Sequence, residues 1–258
     1  MIDIGVNFHS SQLKGLDAEL LSRAASAGVT HLLATGTSLH ASELALGFAR
    51  EHPRVWATAG VHPHDAKHWT PESAARFAPL WADDRVVAVG ECGLDYNRMF
   101  SPRDDQRRAF EAQIVAGVRV DKPLFLHSRD AFDDFHAMLR DAGAAGAYGV
   151  VHCFTDSAAE AEAYLALGLD IGITGWVTDA ARGTALRDAI RVIPLDRLHL
   201  ETDAPYLRPK NAGKTRPYNE PALLPFVAKA VAELKGVDVA TLAAHATANS
   251  RRLFKLPD

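Results

Sequence analysis

Val86-Val87-Ala88-Val89-Gly90-Glu91-Cys92-Gly93-Leu94-Asp95 opens as an apolar, β-branched run and closes on a segment that carries Glu91 and Asp95 beside two glycines. A short apolar run of this kind reads as a strand buried on both faces, as in a parallel sheet. Comparable runs recur at residues 2–6, 31–35, 55–61, 123–126, 148–151, 170–173 and 198–202, which with 86–90 makes eight. Between them the spacing predicts helices over 18–27, 41–50, 104–120, 131–142 and 158–167, with two more at 220–234 and 239–254. In the helix over 104–120, Phe110, Ile114 and Val118 repeat every fourth residue and share one face.

Local signals agree with this division. Thr70-Pro71 reads as an N-cap with proline at the first helical position, and Ser157 with Glu160 as a capping box. Gly28 and Gly168 follow helical runs where a left-handed cap favours glycine. Eight strands alternating with helices predict an α/β fold, a TIM-type (β/α)8 barrel, as one domain over residues 1–258. No glycine-rich turn of the dinucleotide type follows the first run and no P-loop occurs, which removes the main support for those ligands.

Composition narrows the partners. Lys and Arg number 28 against 32 Asp and Glu, a net charge of -4, so any phosphate recognition must be local. There is no signal-peptide pattern and no apolar run long enough to span a bilayer, so the expectation is a cytoplasmic protein without a membrane partner. The two cysteines, Cys92 and Cys153, are too few for a disulfide framework or a thiolate cage and are expected to be buried thiols.

In this barrel class the C-terminal ends of the strands form the active face. Six of the eight ends carry a possible ligand: Asn7 and His9; His62, His64 and Asp65; Glu91; His127, Ser128 and Arg129; His152; and Asp203. Imidazole and carboxylate groups drawn from several strands to one point make a hydrolytic divalent-metal site, where unpaired they would cost several kcal/mol each. The donor set leaves zinc, manganese and magnesium open, and imidazole tilts it toward the transition metals. Asp203 is the candidate for orienting or deprotonating the attacking water. Arg129 is a candidate phosphate grip, or a partner of Asp130 or Asp95. Arg208, Lys210, Lys214 and Arg216 form a basic loop after the eighth run, and Trp176 and Tyr206 are candidate base-stacking side chains.

Six motifs resemble the TatD hydrolase family: Gly60-Val61-His62-Pro63-His64, Gly90 to Asp95, His127-Ser128-Arg129-Asp130, Val151-His152-Cys153-Phe154, Ile171-Gly172-Ile173-Thr174-Gly175 and Glu201-Thr202-Asp203-Ala204-Pro205-Tyr206. The likeness runs over residues 3–254. It implies a metal-dependent nuclease, in the matched branch a 3'-5' exonuclease of single-stranded DNA and RNA, with magnesium as the usual ion, expected to act as a monomer. By position it makes Glu91, His127, His152 and Asp203 metal ligands, with Glu91 and Asp203 catalytic. His62 is a further ligand or a phosphate contact, and His64, Arg129 and Asn7 are expected substrate contacts. One departure stands out: many members open with D-x-H-x-H, whereas here the segment is Asp3-Ile4-Gly5-Val6-Asn7, so the histidine pair that would hold a second metal is absent. Two other functions fit the same barrel: a small-molecule amidohydrolase or phosphoesterase, and a non-catalytic quality-control factor. The missing H-x-H pair weighs against the first, and retention of the four polar ligands against the second.

Overall fold

The computed structural model describes residues 1–143, 145–213 and 216–257. Its strands are β1 (Ile2–Val6), β2 (His31–Ala34), β3 (Val55–Ala59), β4 (Val86–Asp95), β5 (Leu124–Arg129), β6 (Gly149–Val151), β7 (Asp170–Ile173) and β8 (Leu198–Leu200). They lie in the sheet in chain order, and the fold is a TIM-type (β/α)8 barrel. The helices are α1 (Asp17–Ser26), α2 (Leu39–Glu51), α3 (Ser73–Trp81), α4 (Arg103–Val120), α5 (Phe132–Gly143), α6 (Ala158–Ala166), α7 (Thr184–Val192), α8 (Leu224–Lys235) and α9 (Val239–Phe254). None of the described helices is long and apolar enough to cross a membrane.

All eight apolar runs are strands, but their ends differ from the sequence reading. β4 continues through Glu91 to Asp95 and β5 through His127 to Arg129, so those polar residues lie within the ladder rather than after it. β3 and β8 stop short of the predicted ends, at Ala59 and Leu200. The sequence reading gave no range for α3 or α7, although Thr70-Pro71 marked a helix start just before α3; α3 contains Pro79, and α7 is a nine-residue amphipathic helix that buries Leu186, Ala189 and Ile190. Helix α3 begins at Ser73, not after Thr70: the Ser73 hydroxyl accepts the Thr70 N–H at 2.9 Å. The capping box is present, with Ser157 N–H on Glu160 Oε2 at 2.7 Å and Glu160 N–H on Ser157 Oγ at 3.3 Å. Gly28 and Gly168 take the left-handed conformation expected of them. Cys92 is buried, while Cys153 is only partly so.

The described residues fall into two compact units. One comprises Ala34–His152 with Leu167–Leu169. Within it β3, β4, β5 and β6 pair in parallel, with Ala59 beside Val89, Asp95 beside Arg129 and Leu126 beside Val151. Gly93 sits at φ +146°, and a Cβ there would lie 1.9 Å from the His127 carbonyl oxygen, so only glycine lets β5 approach at that level. Two buried glutamines on α4 clamp the chain near the strand ends. Gln113 accepts the Val61 N–H at 2.7 Å and donates to the Val61 carbonyl at 3.1 Å; Gln106 does the same for Asp95 at 2.8 and 3.0 Å. At the opposite end of the strands, Lys122 donates to the carbonyls of Trp81, Asp83 and Val86.

The other unit comprises Met1–Leu33, Cys153–Ala166 and Asp170–Asp258. Here β7 pairs in parallel with β8. The buried Asp3 carboxylate accepts from Thr202 N–H at 2.9 Å, Thr202 Oγ1 at 2.6 Å and Gly5 N–H at 3.3 Å. Burial raises its pKa to about 7 against those bonds, and the Glu201 charge adds to the rise.

Candidate metal centre

Three imidazoles meet on one carboxylate oxygen. Glu91 Oε1 lies 2.8 Å from His152 Nε2, 3.0 Å from His127 Nδ1 and 3.2 Å from His62 Nε2. Within the sheet, His127 pairs with Gly93, and Glu91 falls at the register shift between Gly90 and Cys92, its N–H on the Gly36 carbonyl at 2.8 Å. His152 follows β6 directly and stacks on Phe125, with ring centroids 4.3 Å apart. His62 precedes Pro63, which starts a short 3₁₀ turn over Pro63–His68. Among the described residues, His62, Glu91 and His127 form a group whose ligand atoms all lie within 4.8 Å of one another.

The hydrogen-bond pattern separates the three rings. His62 Nδ1 accepts the N–H of His64 at 3.0 Å, which places the proton of the neutral ring on Nε2, where it donates to Glu91. His127 Nε2 is buried and has no hydrogen-bond partner; the Asp95 Oδ2 atom stands 3.6 Å away. A carboxylate oxygen crowded by three imidazole nitrogens, next to an orphaned ring nitrogen, is a donor set short of a cation. A divalent ion with nitrogen and oxygen ligands fits it.

Charge points the same way. Burial alone would raise the Glu91 pKa, but the His152 and His62 rings and the hydrogen bonds from His127 and His152 hold it well below the usual carboxylate range. Burial lowers His62 to about 4 despite Glu91, so this ring is neutral near pH 7. For His127 burial also lowers the pKa, yet the nearby Asp95 and Glu91 carboxylates outweigh it and the net shift is upward. Burial, with the Glu91 charge beside it, pushes the Cys92 thiol up, so that side chain stays protonated.

Asp95 belongs to this cluster, although the sequence reading gave it only as a possible partner of Arg129. It is buried; Oδ2 takes His64 Nε2 at 2.7 Å, and Oδ1 takes the N–H groups of Asn97 and Arg98 at 2.9 and 2.8 Å. The period of two along a strand would have found it, since Glu91, Gly93 and Asp95 face one way along β4. Arg129 ends β5 and is half-buried.

Asp203 and Asn7 belong to the other unit, where Asn7 Nδ2 donates to Asp203 Oδ1 at 2.9 Å. Asp203 sits at φ +53°, a left-handed conformation uncommon outside glycine, asparagine and aspartate. His9 is exposed in the turn after β1. Arg208 donates to the carbonyls of Gly213 and Arg216, and Arg216 pairs with Glu220 at 3.2 Å, so two of the loop cations hold the loop itself. Lys210 is exposed, and Lys214 lies outside the described residues. Trp176 has the Arg182 guanidinium over its ring at 4.4 Å, whereas Tyr206 is half exposed.

Comparison with known proteins places these features in a family. Residues 2–255 match the family described as TatD related DNase. The protein named 3'-5' ssDNA/RNA exonuclease TatD from Cronobacter sakazakii is 49% identical over 257 residues, covering 98% of this chain and 97% of its own. Its namesake from a Rahnella species is 48% identical over 260 residues, covering 99% and 98%. Among solved structures, YJJV, a TatD homologue from Escherichia coli, superposes with a TM-score of 0.90 at 29% identity, covering 100% of this chain and 98% of the other.

Proposed function

Because the chain belongs to the TatD related DNase family, we propose that it is a metal-dependent hydrolase that removes nucleotides from the 3' end of single-stranded DNA or RNA. The observation that carries this reading is the convergence of His62, His127 and His152 on Glu91 Oε1, with His127 Nε2 left without a partner. Glu91, His127 and His152 would hold a divalent cation, which when bound lowers the pKa of water and neutralises charge on a phosphoryl oxygen. Magnesium is the ion proposed, from the family resemblance; the nitrogen-rich donors by themselves favour a transition metal such as zinc or manganese.

The chain's own groups divide the remaining work. His62 is assigned to donate from Nε2, first to Glu91 and then to a phosphate oxygen, because the His64 N–H occupies its Nδ1. Asp95 holds His64 and faces His127, fixing both rings; His64 and Arg129 are the proposed substrate contacts on this unit. Asp203, steadied through Oδ1 by Asn7, is the proposed proton acceptor.

Metal-stripped protein should be incubated with end-labelled single-stranded DNA and added magnesium, manganese or zinc, beside Glu91→Ala and Asp203→Asn. The expected result is stepwise shortening from the 3' end that needs metal and is lost in both variants. No shortening by the wild type with any of these ions, despite measured metal binding, would overturn the assignment and turn attention to small esters and amides.

A further inference from the structure

The loop between β4 and α4 carries the most exposed aromatic ring of the described residues beside this cluster. Phe100 is 57% exposed and its neighbour Met99 43%. The Phe100 ring stands edge-on to His64, with centroids 4.7 Å apart and planes at 82°. Single exposed apolar side chains are ordinary on protein surfaces and need no explanation. This one differs because the backbone around it is fixed on every side.

Asp95 Oδ1 takes the N–H groups of Asn97 and Arg98. The buried Ser101 hydroxyl donates to the His64 carbonyl at 2.8 Å and accepts the Lys67 N–H at 3.1 Å. Gln106 holds the Ser101 carbonyl at 2.8 Å, and Lys67 Nζ holds that of Phe100 at 3.2 Å. Met99 sits at φ +51°, a conformation that L residues with long side chains rarely adopt. A loop pinned on both sides of a strained residue thus presents two large apolar side chains to solvent. The same Asp95 that orients His64 anchors the loop, so ring and cluster are placed by one carboxylate.

We propose that the Phe100 ring, with Met99 beside it, is the stacking platform for the base at the end of the strand being shortened. This rests on the nuclease reading above and adds how the terminal nucleotide is held. A ring face accepts any base, so the platform would position without selecting sequence. Phe100 was not singled out in the sequence, where an aromatic in a polar loop has no periodic signal.

The test compares wild type, Phe100→Ala and Phe100→Trp on two single strands that differ only at the 3' end, one normal and one closed by an abasic tetrahydrofuran residue. Phe100→Ala should slow removal of the normal end about tenfold, mainly through KM, the scale of one lost stack. It should leave the abasic end unchanged, and Phe100→Trp should restore the normal end. In a chelator, so that nothing is cut, a 3'-terminal 2-aminopurine should be quenched on binding by wild type and by Phe100→Trp but not by Phe100→Ala. Equal losses on both strands, or no loss on either, would overturn the platform. If wild type cuts neither strand with any ion, the nuclease reading fails, and the quenching arm alone then decides whether Phe100 meets a base.

Discussion

The molecule contains two constellations of histidine and carboxylate, one in each compact unit, built from the same residue types to opposite ends. In one, His62, His127 and His152 crowd a single oxygen of Glu91, and His127 keeps a ring nitrogen without a hydrogen bond. In the other, His199 is fully buried, its Nδ1 2.9 Å from Ser250 Oγ and its Nε2 3.0 Å from Asp170 Oδ2. Arg197 and Arg252 each approach Asp170 to 3.2 Å. Every nitrogen of His199 has a protein partner, so no donor remains for a ligand. What separates the two is therefore the imidazole nitrogens and their access to solvent, not residue type: His127 is partly exposed with an unpartnered nitrogen, whereas His199 is fully buried with both nitrogens engaged.

The largest expected effect comes from deleting one histidine in each place. His127→Ala should lower nuclease kcat/KM by about a thousandfold or more, the scale seen when a group stabilising transition-state charge is removed. The metal-free protein should lose less in thermal midpoint than His199→Ala, because only Nδ1 of the ring, 3.0 Å from Glu91 Oε1, has a bond to give up and His62 and His152 still face that oxygen. His199→Ala should do the reverse: kcat/KM at 25 °C unchanged, stability lower by about 3 kcal/mol from the cavity and the loss of the buried bonds to Asp170 and Ser250. Activity assays beside urea unfolding check both, and a crossed result would dissolve the distinction.

A second, smaller effect separates the two by pH. Metal can bind His127 only after its proton leaves, and its pKa is raised by Asp95 and Glu91. Apparent metal affinity should therefore be full above that raised pKa. It should fall about tenfold for each pH unit below it, as one proton comes to compete. His62, already lowered to about 4, should contribute nothing to this fall in the neutral range. Calorimetric titrations in buffers of different ionisation heat should show about one proton released per metal bound well below the raised pKa and about half of one at it. A flat affinity between pH 5 and pH 8 would remove His127 from the ligands.

The convergence on Glu91 was legible in the sequence as a set of polar residues at or just beyond the apolar runs, where the fold class says to look. The strand ends differ because the apolar runs at 86–90 and 123–126 stop at Glu91 and His127, whereas the strands themselves continue to Asp95 and Arg129. Asp95 fell beyond that false end and was not assigned to the site. The constellation around His199 left no trace. Asp170, His199 and Ser250 are 29 and 51 residues apart, each inside or against an ordinary element, and no spacing rule joins them. In α3 Pro79 interrupts a helical reading, whereas α7 carries a regular helical apolar spacing, Leu186, Ala189 and Ile190, but on only nine residues.

Ser250→Ala gives the smallest effect and the sharpest test of the comparison. Serine, histidine and aspartate in sequence at hydrogen-bond distances are the parts of an acyl-transfer triad. Such a triad works only if the hydroxyl can reach a substrate carbonyl and donors await the developing oxyanion. Ser250 meets neither need: it is fully buried on α9, and its hydroxyl also lies 2.9 Å from the Ala246 carbonyl of its own helix. Replacing it by alanine takes one partner from a buried ring nitrogen, a loss of about 1 kcal/mol in stability. Nuclease activity, and any esterase activity on small chromogenic esters, should be unchanged within twofold. A variant that folds like the wild type yet loses hydrolysis of either substrate class would show that the closed constellation, and not the open one, carries the chemistry.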